Sequence, residues 1–101
     1  MSMIRGTTPL LEFTVPFDTR QLAEAYVTLA QSGKVVVDKK LEDCEVDTHK
    51  LSVRLTQEET LRLDDGYVTE IQIRVRTIEG EALASNIIAE RTDRILKDGV
   101  I

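Results

Sequence analysis

The chain holds one thiol and one imidazole, Cys44 and His49. A strand–turn–strand unit can bring such a pair together, and Cys–His chemistry then needs a lowered thiol pKa and a third group to orient the ring. The neighbours of Cys44 oppose that state. Asp43 and Glu45 place negative charge beside the sulfur, which raises the thiol pKa and disfavours the thiolate. The local alternation also points Cys44 inward, while His49 falls in a turn. A packed cysteine and a solvated turn histidine are the expected pair. A second group of chemistry-bearing residues is acidic: Asp43, Glu45 and Asp47 share one face of an expected strand, and Asp64 and Asp65 sit in a later turn. Calcium takes about 6–8 oxygen ligands, but this spacing matches no calcium loop and lacks the central glycine. A solvated acidic face that discourages edge-to-edge pairing is the expected role, with no metal bound.

Arg74 and Arg76 project from one face of the most regular strand, and Arg54 is expected beside them across the ladder. No aromatics interleave with these cations and Glu70 shares their face, so ion pairing across strands is expected and not nucleic-acid binding. Paired carboxylates for glycoside hydrolysis would need a cleft and stacking rings, and the chain has two Tyr, two Phe and no Trp. It contains no glycine-rich phosphate loop, HExxH, CxxC or GxSxG. No enzymatic activity, cofactor or metal is expected.

The elements that position these residues fit a single domain. The chain has 101 residues, 42% hydrophobic and 31% charged, an ordinary globular balance. Its net charge of −5 opposes a phosphate-binding surface. A lone cysteine excludes an internal disulfide framework and a cysteine-rich zinc site. No apolar run approaches the roughly 20 residues of a membrane helix, and no secretory apolar region opens the chain. An intracellularly made protein without a membrane partner is the expectation.

Residues 1–9 show no usable period and contain Gly6 and Pro9, which predicts a flexible N-terminal arm ahead of one domain over 10–101. From Leu10 the period is two. Leu11, Phe13 and Val15 form one face of a half-buried strand that Pro16 ends. Over Leu22–Gln31, Ala23, Ala25, Val27 and Leu29 share a face. Helix competes there, because Gln21–Ala25 has good helical propensity, but Tyr26-Val27-Thr28 and the Ser32-Gly33 turn favour strand. Lys34–Lys39 completes a hairpin through that turn. A short strand follows with Cys44 and Val46 inward, and Leu51–Leu55 alternates again. Thr56-Gln57-Glu58-Glu59 spells a capping box that opens one helical turn, with Leu61 and Leu63 plugging the core. Ile71, Ile73 and Val75 mark the clearest strand. Ala82 to about Leu96 reads as a long final strand that breaks or bends near Ser85-Asn86. About seven strands with one helical turn predict an all-β, antiparallel sandwich.

From Leu51 onward, the strand ending in Thr56-Gln57-Glu58-Glu59-Thr60, the strand Glu70–Thr77, the Glu79-Gly80 turn, Gly80–Ile88 and the closing Ile95–Ile101 carry a resemblance. The sequence resembles small proteins of prophages and mobile elements of gut Firmicutes. It is also broadly similar to the N-terminal domain of phage baseplate upper proteins, over about Leu10 to Leu96, in pattern and turn placement. The resemblance implies an immunoglobulin-like sandwich used as a virion assembly module in a tail, baseplate or connector. It implies other phage structural proteins or further copies of itself as partners, and a location in the host bacterial cytoplasm before the virion. The long fibre regions that usually follow that domain are not in this sequence, a departure that counts against the expectation of receptor carrying.

The residues expected to touch partners are Met3 and Ile4 in the arm and Val100 and Ile101 in the apolar tail. A tail that ends apolar can dock on its own domain or add a strand to a neighbour, and the sequence leaves both open. The alternative function is a carbohydrate- or peptide-binding module using loops around Asp18, His49 and Asp64-Asp65.

Overall fold

Period-two patterning builds the two sheets of the molecule. A computed structural model describes residues 2–101. Among them run β1 (Ser2–Ile4), β2 (Leu10–Thr14), β3 (Leu22–Gln31), β4 (Lys34–Lys40), β5 (Glu45–Asp47), β6 (Lys50–Arg54), α1 (Gln57–Leu61), β7 (Val68–Thr77), β8 (Ala82–Ala84) and β9 (Ile88–Asp93). Short 3-10 turns at Thr19–Gln21 and Leu41–Asp43 link strands. One sheet has the order β1-β9-β7-β3-β4, with β8 also on β7, and the other has the order β2-β6-β5. The two pack face to face as a sandwich. The β2-β6-β5 sheet lies opposite the β9-β7-β3-β4 run of the larger sheet.

The core lies between the inward rows. Ala25, Val27 and Leu29 of β3, Val37 of β4 and Ile71, Ile73 and Val75 of β7 face Leu51 and Val53 of β6, with Leu55 and Leu63 closing one end. Leu11 and Phe13 are partly buried against this cluster. The β3–β4 hairpin turns through Ser32 and Gly33, at φ 51° and 77°. Two successive positive φ values match the right-handed twist of the flanking strands. At the far corner, Thr56 Oγ1 accepts the Glu59 N–H at 3.1 Å and Glu59 Oε1 accepts the Thr56 N–H at 2.8 Å, so the expected capping box forms.

Two expectations change at the chain's start and finish. Ser2–Ile4 is no loose arm: it runs parallel to β9, pairing Ser2 with Arg91 and Ile4 with Asp93, and buries Met3 at 4% exposure. Three residues are too few to declare an alternation, so the sequence hides this strand. Met1 lies outside the described residues. The sandwich is therefore antiparallel except at this pair, and it has nine strands among the described residues. The expected final strand is β8 and β9 on one edge of β7, broken where the sequence places the bend. Register moves by one residue across the break, from Arg74↔Ala84 to Ile71↔Ile88. That is a one-residue bulge. Ser85 fills the gap, its Oγ accepting the Ile73 N–H at 3.1 Å while its own N–H reaches Ile73 O at 2.9 Å.

Candidate interaction surface

The fold separates the residues that could have formed a catalytic pair. Cys44 precedes β5 and His49 follows it, at opposite ends of the strand. Cys44 Sγ donates to Lys40 O at 3.2 Å, and His49 Nδ1 lies 2.9 Å from Phe17 O. Burial, and then the charge of Asp43, push the Cys44 thiol up from its ordinary value. The thiol form is held at neutral pH, the opposite of what a nucleophile needs.

The acids do not share one strand face. Asp43 sits in the 3-10 turn and its Oδ2 accepts the Lys40 N–H at 3.0 Å, whereas Glu45 and Asp47 stay on β5. No group of three His, Cys, Asp or Glu side chains suited to a metal forms among the described residues. Val46 also departs from expectation. It pairs with Leu51 on the core-side face, yet remains 50% exposed, because it sits on the unpaired edge strand of the smaller sheet.

Arg54 is not beside Arg74 and Arg76. It belongs to β6 in the opposite sheet, where its Nη1 donates to Thr8 O at 2.8 Å. Arg76 pairs with Glu24 across the ladder at 3.6 Å, as cross-strand pairing requires, while Arg74 has no ion pair among the described residues.

The loops around Asp18, His49 and Asp64-Asp65 divide between the two ends. Asp18 caps the turn that enters β3, accepting from Arg20 N at 2.9 Å, whereas Asp64 is held by Gln31 at the exit of β3. Ten strand residues put them roughly 30 Å apart. The Arg20 side chain and then its backbone N–H hold Asp18 down at about 2.

Arm, helix and tail meet at the Asp64 end. Arg5 Nε donates to Leu63 O at 2.7 Å and Nη2 to Leu61 O at 3.0 Å, and its guanidinium lies 3.7 Å from Asp98. Thr60 Oγ1 donates to Thr7 O at 2.8 Å. Gln57 grips the backbone of Ile101 from both sides, accepting its N–H at 2.8 Å and donating to its carbonyl at 3.3 Å. The tail is thus docked by its backbone while its side chains face outward, Val100 58% and Ile101 90% exposed. Beside them lies an open groove of about 570 Å³ between Thr8, Arg54, Gln57 and Val100. Ile4, 41% exposed, joins this end, but Met3 does not: it is core. Arg5 and Gln57, which hold the tail, carry no sequence signal beyond being polar near a helix.

A second apolar opening lies at the other end of the sandwich, on the flank between β2 and β8. A pocket of about 200 Å³ is lined there mainly by Val15, Phe17, Ile73, Val75 and Leu83. Neither β2 nor β8 has a strand on its outer side among the described residues. Alternation marked Val15, Ile73 and Val75 as core, but it could not show that the flank above them is open.

No family model, no curated protein and no solved structure matches the chain.

Proposed function

We propose that the protein is a non-enzymatic assembly module that works through contacts of its sheet edges and its C-terminal tail. The observation that carries this reading is the tail, whose Val100 and Ile101 side chains face outward while Gln57 grips the backbone of Ile101. An ordered apolar segment presented to solvent suits a partner surface, since its ordering cost is already met before contact. The raised Cys44 thiol and the separation of Cys44 from His49 support the absence of catalysis.

The setting proposed is a phage or prophage tail, baseplate or connector, with the protein made in the host bacterial cytoplasm and then carried in the virion. The resemblance in turn placement to the N-terminal domain of baseplate upper proteins supports this setting, as does a strand order of the immunoglobulin type. The partners proposed are further copies of the chain or other structural proteins of the particle. The loop-based carbohydrate or peptide site is not favoured, because its residues lie at opposite ends of β3.

Size exclusion with light scattering over a wide concentration range tests the reading. A discrete oligomer that dissociates on deleting Gly99–Ile101 is expected. A monomer at every concentration overturns self-assembly, and an oligomer indifferent to the deletion overturns the tail's part in it.

A further inference from the structure

The open flank at β8 has the chemistry of a strand acceptor. In the antiparallel β7–β8 ladder, Ser85 N donates to Ile73 O and Thr77 N to Glu81 O, each at 2.9 Å. Bonded pairs alternate along such a ladder, so Val75 and Leu83 form the next one. The backbone N–H and C=O groups of Ala82 and Ala84 therefore point away from β7, toward the open side. Beneath this edge lies the apolar pocket between Val15, Phe17 and Leu83. Above it, on the outer face, Arg74 and Arg76 stand opposite Ala84 and Ala82 and border a shallow cleft of about 210 Å³ that Glu24, Tyr26 and Ala82 also line. Arg76 is shared with Glu24 at 3.6 Å, whereas Arg74 has no ion pair among the described residues. A strand laid beside β8 would put apolar side chains over the pocket and its alternate side chains within reach of two guanidinium groups. The fitting sequence is acid–apolar–acid.

The chain supplies such a strand on its own opposite flank. β5 is Glu45-Val46-Asp47, an edge strand whose outer side is unpaired and whose three residues are all exposed. Val46 lies on the core-side face, and Glu45 and Asp47 on the outer face make no ion pair among the described residues. Lys50, opposite Asp47, reaches across to Glu12 at 3.1 Å instead. Like charge prevents β5 from pairing with another β5, so its acids reject the symmetric contact and fit the basic-rimmed β8 edge.

We propose that β8 of one copy accepts β5 of a second copy, with Val46 over the apolar pocket and Glu45 and Asp47 beside Arg74 and Arg76. The contact is head-to-tail, because donor and acceptor strands lie on different edges of each copy, so it builds rings or filaments and not a closed two-fold dimer. This inference rests on the assembly reading and names the edges that carry it.

Sedimentation velocity on the full chain tests it with two charge-reversed proteins, R74E/R76E and E45R/D47R. Each alone should associate at least about tenfold more weakly than the parent, since like charges then face each other. Mixed in equal amounts, they should recover association, because each acceptor edge again meets an opposite donor. A third variant, Ala84→Pro, deletes one outward N–H without touching the ladder to β7, and should also weaken association at an unchanged Tm. A parent oligomer that none of these variants weakens, or charge-reversed proteins that do not recover on mixing, overturns the β5–β8 contact while self-assembly stands. A monomeric parent overturns both.

Discussion

Gln31 ends the buried row of β3 and ties three elements together. Its Nε2 donates to Asp64 O at 2.9 Å, Thr69 Oγ1 at 3.2 Å and Thr92 Oγ1 at 3.3 Å, and its Oε1 accepts the Asp64 N–H at 2.8 Å. Thr69 and Thr92 hydrogen-bond each other at 2.6 Å. Removing the amide strands buried polar partners, so Gln31→Ala should lower stability by about 2–3 kcal/mol, read as a fall in chemical-denaturation midpoint at constant m-value. The residue was within reach of sequence reasoning. Extending the row Ala25-Val27-Leu29 by two lands on Gln31, as extending Ile71-Ile73-Val75 backward lands on Thr69. What alternation cannot supply is the partner, since Asp64 and Thr92 arrive from distant segments. Cys44 belongs to the same scale. With its thiol pKa raised by partial burial and Asp43, it should react with a disulfide reagent at pH 7 more slowly than free cysteine, and a faster reaction would refute the raised-thiol assignment.

Among the elements, α1 is fixed from two sides. Lys39 Nζ of β4 donates to both Glu59 oxygens at 2.9 Å, and both side chains are largely shielded from water. Burial raises the Glu59 pKa, but the Lys39 contact and the Thr56 N–H outweigh it, so the folded value lies below the ordinary 4.5. A carboxylate with a depressed folded pKa stabilises the fold above its unfolded pKa, and that stability is lost as pH falls through the folded value. Acid titration of the parent should therefore show a steeper loss of stability below about pH 4.5 than Glu59→Gln, and parallel curves would refute the pair's role. On the other side of α1, Gly6 has φ +75°, and an added Cβ would meet Ile95 Cδ1 at 2.9 Å. The side-chain contact can yield, but the left-handed backbone cannot, so Gly6→Ala should lower stability by about 1–2 kcal/mol in thermal denaturation.

At the scale of the whole molecule, the two termini behave differently despite lying at one end. β1 contributes a buried Met3 to the core, and truncating that side chain to alanine should cost about 2–5 kcal/mol. Deleting Gly99–Ile101 removes two exposed apolar side chains and a backbone held by Gln57, so Tm should stay nearly unchanged while association falls. Comparing the two melting curves separates core from contact surface, and a tail deletion that melts as early as Met3→Ala would refute the distinction. Both expected contact segments are short and apolar, so composition alone treats them alike. Burial divides them.

Alternation and turn chemistry by themselves determined six features of this chain: the β3–β4 hairpin, the β6 strand, the capping box at Thr56, the inward row of β7, the break at Ser85 and the all-β class. These are local. Each depends on side chains two, three or four residues apart, and on backbone angles that glycine and capping residues select. Tertiary structure alone decided that Ser2–Ile4 pairs with β9, that Arg54 and Arg74 stand in different sheets, and that the β2–β8 flank is open above an apolar pocket. A pairing partner is a property of two segments far apart in sequence, and an unpaired edge is a property of the whole sheet. No local period encodes either.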